Sequence, residues 1–377
     1  MDAIVIGAGV VGSACALALS EAGLKVLVID RSTIASGTTS AGEGNILLSD
    51  KGPGPELVLA QYSRNAWFEI SERIGNSFEL EPKGGLVISR SEQGVAKLQN
   101  FAIEQRSVGV EAVEIGSKEL HELEPYLATD ISFGILYPQD AQCQPMLSTA
   151  RMLRAVRDAG GTVRERETVI SISSGEKGLS VRTNVALYTA PVVVNAAGTW
   201  AGEIARLAGS DLPIAPRRGF ILVTTPAPKL VAHKVYDADY VANVASGDAD
   251  LQSSAVIEGT KSGTILIGAS RERIGFDSTL NIEILRQLAR QAISLFPLLA
   301  KVSLLRTYSG FRPYAPDHLP VIGEDSKISG LYHAAGHEGA GIGLAPGTGE
   351  LICAAVMHQT PFMDPTPFSP KRFESVS

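Results

Sequence analysis

Ala3-Ile-Val-Ile-Gly7-Ala8-Gly9-Val10-Val11-Gly12 opens the chain, and its reading decides the fold. The first four residues are an apolar run of strand length, and three glycines follow at G-x-G-x-x-G spacing. Ser13 to Ala22 is rich in alanine and reads as a helix ended by Gly23. Lys25-Val-Leu-Val-Ile29 is a second strand, and it stops at Asp30. Strand, glycine turn, helix, strand and acid in this register make the βαβ unit of a dinucleotide site. Gly7 permits the tight turn, Gly9 admits a pyrophosphate to the backbone, and Gly12 lets the helix pack against the strand. Ala8, Val10 and Val11 belong to the helix start, whose N–H groups turn towards phosphate. Asp30 stands where a carboxylate accepts hydrogen bonds from an adenosine ribose.

The residues beyond the second strand separate FAD from NAD. Arg31-Ser-Thr-Ile-Ala-Ser-Gly37-Thr38-Thr39-Ser40-Ala-Gly-Glu-Gly44-Asn45 is polar and rich in glycine. An extended FAD needs such a loop around its pyrophosphate and ribityl chain, whereas NAD-binding chains usually proceed to the next helix. On composition alone the stretch also reads as an ordinary surface loop.

Composition narrows the class. The 377 residues suffice for two domains or one large discontinuous one, and 45% hydrophobic content supplies a sizeable core. A net charge of −7 without a basic cluster argues against nucleic acid as a partner. The apolar stretches are interrupted or carry the fingerprint glycines, so no transmembrane segment is expected. Met1-Asp2 lacks the basic start of a signal peptide. Cys15, Cys143 and Cys353 are too scattered for a disulfide framework or a CxxC site, and no HxxxH pair occurs. The expectation is a cytoplasmic, metal-free protein that meets a membrane only through partners.

The pass along the chain predicts helices over 55–74, 93–108, 117–124, 146–159, 281–295 and 348–358. Strands are predicted over 83–88, 134–137, 163–173, 179–183, 220–224, 255–258, 264–268 and 331–335. Residues 190–197 read as a parallel strand buried on both faces, running into Gly198-Thr-Trp200. The nucleotide-binding pattern therefore returns in the middle and at the end of the chain, with β-rich stretches between.

Further motifs carry a family resemblance: Val194-Asn-Ala-Ala-Gly198-Thr-Trp200, Arg217-Arg-Gly219, Tyr308-Ser-Gly-Phe-Arg312-Pro-Tyr-Ala-Pro-Asp317 and Gly336-His-Glu-Gly-Ala-Gly341-Ile-Gly-Leu-Ala-Pro346. With the opening fingerprint and Leu319-Pro-Val-Ile-Gly323, their order and spacing resemble the D-amino-acid-oxidase-like flavoproteins across essentially the whole chain. The resemblance implies an α/β fold: a Rossmann-like FAD-binding domain of the glutathione-reductase type with an inserted β-rich α+β substrate domain. It places the FAD-binding domain in 1–80, 145–215 and 309–377, and the substrate domain in 81–144 and 216–308. It adds Val169, Ala197, Gly198, Trp200, Gly310, Gly339, Gly341, Ile342 and Gly343 to the residues that hold FAD.

The same resemblance implies the chemistry. These flavoproteins oxidise a C–N bond α to a carboxylate by hydride transfer to the flavin, while the protein binds and orients. Arg312 matches the family's carboxylate-binding arginine, and its planar fork suits a bidentate pair with a carboxylate. Glycine oxidases carry a tyrosine where Val256 stands, an apolar residue where Arg271 stands and an arginine where Gly339 stands. Arg271 beside the pocket suits a second carboxylate, or is a solvated turn residue. His337 lies in the loop that passes the flavin, where it tunes the flavin, contacts substrate, or packs at a helix start. The cysteine and histidine that carry covalent flavin in sarcosine oxidases are absent, so FAD is expected to be non-covalent. Cys143 reads as a buried, inert thiol.

Residues 336–350 resemble most closely the FAD-containing β subunits of dye-linked dehydrogenases. That similarity implies a secondary-amine dehydrogenase, foremost for an opine such as nopaline or octopine, with hydroxyproline or proline next. It also implies an α subunit bearing an iron–sulfur centre, because three isolated cysteines cannot ligate one here, and it leaves room for FMN between subunits. A stand-alone amino acid oxidase releasing peroxide and a non-catalytic flavin-binding subunit are the alternative classes.

Overall fold

The computed structural model describes residues 1–238 and 251–374. β1 (Ala3–Ile6) and β2 (Val26–Ile29) flank the helix Val10–Glu21. The short β3 (Asn45–Ile46) ends the following loop, and the helix Pro55–Ile74 comes next. β4 (Gly85–Ser89), β5 (Val113–Gly116), β6 (Phe133–Tyr137) and β7 (Ala141–Gln142) are interleaved with helices Glu92–Arg106 and Ser117–Leu123. Helix Pro145–Asp158 leads to β8 (Thr162–Arg164), then to β9 (Val169–Gly175), β10 (Gly178–Thr183) and β11 (Leu187–Ala190). β12 (Val192–Asn195) precedes the helix Ala201–Leu207. β13 (Ala215–Thr224), β14 (Lys234–Asp237), β15 (Gln252–Gly259), β16 (Ile265–Arg271) and β17 (Leu304–Tyr314) follow, with helix Ile282–Leu295 before the last. β18 (Val321–Glu324), β19 (Leu331–Ala335) and the helix Gly341–Val356 close the fold.

Two sheets carry the architecture. The first runs β18-β19-β12-β1-β2-β8, parallel except for β18. Its centre is β1, whose four residues are all buried, as a strand covered on both faces must be. Helices Val10–Glu21 and Gly341–Val356 pack so closely on one another that a Cβ on Gly349 would fall 2.7 Å from the Ala14 carbonyl oxygen. The second sheet runs β17-β13-β16-β15-β14-β4-β6-β5 and is antiparallel except between β14 and β4. One of its faces is covered by helix Ile282–Leu295, which turns Ile284, Leu285, Leu288, Ala292 and Leu295 inward. Strands of the first sheet come from 3–29, 162–195 and 321–335, and those of the second from 85–137 and 215–314. Among the described residues no helix is long and apolar enough to cross a membrane.

β5, β14, β17 and β18 stand where the sequence reading assigned no strand, and two predicted elements take a different course. The predicted strand 163–173 is two strands in different sheets, β8 beside β2 and β9 beside β10. Arg166, at φ 58°, breaks the extended run between them. The closing helix starts at Gly341 rather than 348 and continues through Pro346. Proline cannot donate to the carbonyl four residues back. Here the buried Trp67 indole N–H donates to that Ile342 carbonyl at 2.9 Å, and Ser63 Oγ accepts from the next amide, Gly347 N–H, at 3.0 Å. Both partners come from helix Pro55–Ile74, so tertiary contacts make good what the sequence alone reads as a loop.

Candidate active site

A cleft of about 510 Å³ opens where the carboxyl ends of the first sheet meet the face of the second. Ile6 and Ile29 at the ends of β1 and β2, and Ala334 and Ala335 at the end of β19, form its floor. Ligands bind at this place in open α/β sheets. The glycine turn is built by contact as much as by conformation. Gly7 has φ +115°, and a Cβ there would fall 2.4 Å from the Ala196 carbonyl oxygen. A Cβ on Gly12 would lie 2.0 Å from the Gly7 carbonyl oxygen, so the helix starts directly against the turn.

Asp30 braces this turn. Its Oδ2 accepts from the Ala8 amide and its Oδ1 from the Ser32 amide, each at 2.8 Å. Each oxygen keeps a second lone pair, and Asp30 lines the cleft beside Arg31. Thr39 Oγ1 accepts from the Val10 amide at 3.0 Å. Thr38 and Thr199 both donate to the Phe311 carbonyl, at 2.7 and 2.8 Å, and so tie the loop after β2 to β17. The aromatic wall is Trp200, with the Arg31 guanidinium 4.2 Å from its ring centre and Phe276 stacked on it at 5.5 Å. A glycine cradle at a helix start, an acid at the second strand's end and a polar loop along one side fit an extended dinucleotide such as FAD.

Most of the residues singled out from sequence meet at this cleft. Gly7, Gly9, Val10, Val11, Asp30, Arg31, Thr38, Thr39, Asn45 and Val169 line it. So do Ala197, Gly198, Trp200, Gly310, Arg312, His337, Gly339, Gly341 and Ile342. Ala8, Gly12, Ser40, Gly44 and Gly343 do not. Ala8 contributes its amide to Asp30, and Ser40 Oγ turns back to the Ser36 and Gly37 carbonyls. Gly44 and Gly343 are packing positions: their Cβ atoms would fall 1.9 Å from the Cys143 carbonyl and 3.3 Å from the Asn45 carbonyl. Arg271, the last residue of β16, is buried rather than solvated in a turn, and it is not part of the cleft lining. Cys143 is buried too, and burial pushes its thiol up to about 12.

The second sheet presents Gly219 and Gly310 to the cleft, with Gly268 packed against the cleft-lining Glu43. A Cβ on Gly310 would meet Ala41 at 2.3 Å, one on Gly268 would meet Glu43 Oε1 at 2.4 Å, and one on Gly219 would meet Arg312 Nη1 at 2.2 Å. The Arg312 guanidinium therefore lies flat across Gly219 and donates from Nη1 to the Ser270 carbonyl at 2.9 Å. Arg217 stands directly opposite Arg312 in the β13–β17 register and is fully buried. Its Nη1 donates to Glu338 Oε1 at 2.5 Å and its Nη2 to Gln252 Oε1 at 3.0 Å. Glu338 Oε2 is 3.0 Å from His318 Nδ1. Burial works to raise the Glu338 carboxyl, but the His318 hydrogen bond and then Arg217 and Arg271 hold it down to about 2. Arg217 and Arg271 thus both act on Glu338, which lines the cleft as Arg312 does, while the two arginines themselves lie outside its lining.

His337 is set differently. Its Nε2 lies 2.9 Å from Thr348 Oγ1, whose own proton goes to the Leu344 carbonyl. Nε2 must then carry the hydrogen, and burial lowers the imidazole to about 3. A neutral ring tethered to the closing helix cannot exchange protons near neutral pH. Glu43, Gly219 and Ile221 line the cleft without having been assigned a role from sequence. Glu43 lies inside the quoted loop, and its acidity among small residues was the available signal.

The chain's similarities agree with this geometry. The family model described as FAD dependent oxidoreductase (DAO) matches residues 2–355. Glycine oxidase of Geobacillus kaustophilus is 28% identical over 376 residues, covering 98% of this chain and 96% of that protein. Its crystal structure superposes with a TM-score of 0.91 at 26% identity over 99% of both chains. Hydrogen cyanide synthase subunit HcnC of Pseudomonas aeruginosa is 25% identical over 417 residues, covering 99% and 96%. L-proline dehydrogenase of P. horikoshii superposes with a TM-score of 0.89 at 25% identity, covering 99% and 97%.

Proposed function

The chain belongs to the DAO family of FAD-dependent oxidoreductases, and from that premise we propose that it oxidises the C–N bond of a secondary-amine dicarboxylic acid of the opine class. FAD-dependent oxidation of an amino-acid C–N bond is the chemistry of the family; the dicarboxylic substrate is the finer reading. The observation that supports it is Arg312 on the cleft wall, with Arg217 and Arg271 acting on Glu338, which lines the same cleft. Arg312 lies on the wall, flattened over Gly219, where its fork can take the α-carboxylate in two parallel hydrogen bonds. Arg271 and Arg217 stand close behind and share Glu338. A second carboxylate on the substrate's other arm suits such cationic surroundings.

When bound, FAD accepts the hydride from the carbon α to the nitrogen. The chain's residues bind and orient. Arg312 fixes the carboxylate, Gly310 and Gly219 keep the cleft narrow beside it, and Trp200 with Phe276 shields the dinucleotide end from water. The absent attachment residues support non-covalent FAD held by Gly7, Gly9, Val10, Val11, Asp30, Thr38, Thr39, Trp200, Gly341 and Ile342.

A panel of nopaline, octopine, proline, hydroxyproline, sarcosine, glycine and D-amino acids, added anaerobically, tests the reading by flavin bleaching. Fast bleaching by opines supports it; bleaching by glycine or proline with opines inert overturns it. That outcome would favour the second reading, an oxidase or dehydrogenase of small amino acids, which the glycine oxidase and L-proline dehydrogenase likenesses support. A heteromeric assembly with an iron–sulfur subunit, and FMN at its interface, is a further part of the proposal. The relation to a protein named as a synthase subunit supports the assembly, and copurification from native cells tests it.

A further inference from the structure

Behind the cleft lies a chain of buried ionisable side chains that the reading so far does not use. Glu43 lines the cleft, is 8% exposed, and keeps Oε1 without a hydrogen-bond partner beside Gly268. Its Oε2 accepts from Asn45 Nδ2 at 3.1 Å and lies 3.9 Å from Lys234 Nζ. Lys234 also donates to Asn45 Oδ1, and to Glu258 Oε2 at 2.8 Å. Glu258 is fully buried and likewise keeps Oε1 without a partner. The next residue, Gly259, offers its carbonyl to Lys83, which also bonds Gln142, the strand partner of Asn45. Lys83 and Gly259 line a second pocket with Glu81 and Lys261. The series thus links a residue that lines the cleft to residues that line a second pocket.

We propose that Glu43 accepts the proton which a substrate ammonium must lose before oxidation, and that Lys234, Glu258 and Lys83 lead it to the second pocket. This rests on the family's C–N oxidation and not on the opine reading. Placement supports the first step. Gly268 and Ser270 are two residues apart on β16; Glu43 packs on the first, and Arg312 donates to the carbonyl of the second. A carboxylate held by Arg312 is thus near enough to Glu43 for the substrate's α-nitrogen to turn towards it. In the step, the ammonium N–H bond breaks and a Glu43 O–H bond forms. The electron pair left on nitrogen then makes the C=N bond, as the α-C–H pair leaves as hydride to oxidised FAD. Two carboxylate oxygens without donors, buried on either side of one ammonium, are sites where a proton can rest. Burial also raises the Glu258 carboxyl and lowers the Lys83 ammonium, which brings donor and acceptor closer together. Among the described residues, Glu81, Lys229, Cys143 and Tyr308 also face the series.

The test uses whichever amine bleaches the flavin of the FAD-loaded protein and follows the anaerobic reduction rate against pH. In the wild type the rate should stay level well below the amine's own pKa, because Glu43 removes the proton in place. In Glu43→Gln only free amine reacts, so the rate should fall tenfold per pH unit below that pKa and regain the wild-type value above it. Glu43→Asp should restore the level profile in part. Lys83→Gln lies outside the cleft, and with a pH indicator its proton release should lag flavin reduction. An unchanged profile in Glu43→Gln overturns the proposal. Should Glu43→Gln fail to load FAD, proton release in step with reduction in both Lys83→Gln and Glu258→Gln overturns it instead. Failure of every amine to bleach the wild type would count against the functional reading itself.

Discussion

Trp67 Nε1 donates to the Ile342 carbonyl at 2.9 Å, and this is the carbonyl that Pro346 leaves without its helical donor. One residue lies in a helix far away in sequence; the other lines the cleft. Trp67 is fully buried, so no water replaces its N–H if it is removed. Trp67→Phe should therefore cost about 1–3 kcal/mol, the scale of a buried acceptor left unpaired. Urea unfolding reads the loss, and FAD affinity should fall with it because Ile342 borders the cleft.

The glycine turn yields a second expectation. A methyl on Gly12 would lie 2.0 Å from the Gly7 carbonyl oxygen, which is backbone and cannot swing aside. Gly12→Ala should move the helix start off the turn and weaken FAD binding at least tenfold, ~1.4 kcal/mol. Flavin fluorescence titration of apoprotein measures it. Gly23, with φ +87° and no atom near its Cβ position, should tolerate Asn with FAD affinity unchanged.

Much of this was legible in the chain because it depends on local spacing. The 3–30 unit, the buried strand at Val192–Asn195 and the helix Pro55–Ile74 each follow from a short period in the sequence. What sequence did not reveal depends on partners distant in the chain. Val113–Gly116 is a short edge strand with only Ile115 buried, so it carries no alternation to recognise. The start of the closing helix at Gly341 depends on Trp67 and Ser63. Arg271 reads as either turn or pocket until β15 and β16 fix its register opposite Gln252. Glu43 is one acid in a polar loop until Gly268 and Lys234 arrive from two other strands.

His337 sets a pH dependence of stability. An imidazole in the unfolded chain takes a proton below its ordinary value of 6.5, whereas folded His337 refuses one until about 3. Between those values the unfolded chain binds more protons, so stability rises with pH and is fully present only above 6.5. Glu338 adds to the slope between 4.5 and about 2, where its lowered carboxyl loses its advantage as pH falls. Asp140, raised by burial from 3.8 to about 6, opposes the slope between those two values. His337→Gln, which keeps a donor for Thr348, should flatten the dependence between 6.5 and 3, whereas Glu338→Gln should flatten it only below 4.5. Denaturant midpoints across a pH series compare the three proteins.

The position of Arg312 depends on a residue with no side chain. Gly219 leaves the space in which the guanidinium lies, and a Cβ there would fall 2.2 Å from Nη1 and 2.5 Å from the Ser270 carbonyl oxygen. The arginine must yield, and because the carbonyl is backbone, β13 and β16 must also move apart locally. Gly219→Ala should therefore displace the fork without removing its charge, while the dinucleotide end of the cleft stays intact. The expected result is a raised KM with unchanged FAD affinity. Arg312→Ala removes the carboxylate contact outright and should lose roughly 2–4 kcal/mol in kcat/KM, the scale of a buried charge contact broken on one side. Arg312→Lys keeps the charge but loses the paired donors, so it should fall between the two. If all three variants kept wild-type kcat/KM with the best amine, the carboxylate would have to bind elsewhere. The Arg217–Glu338 pair could not take over that role unchanged, because its guanidinium is already engaged by Glu338 and Gln252.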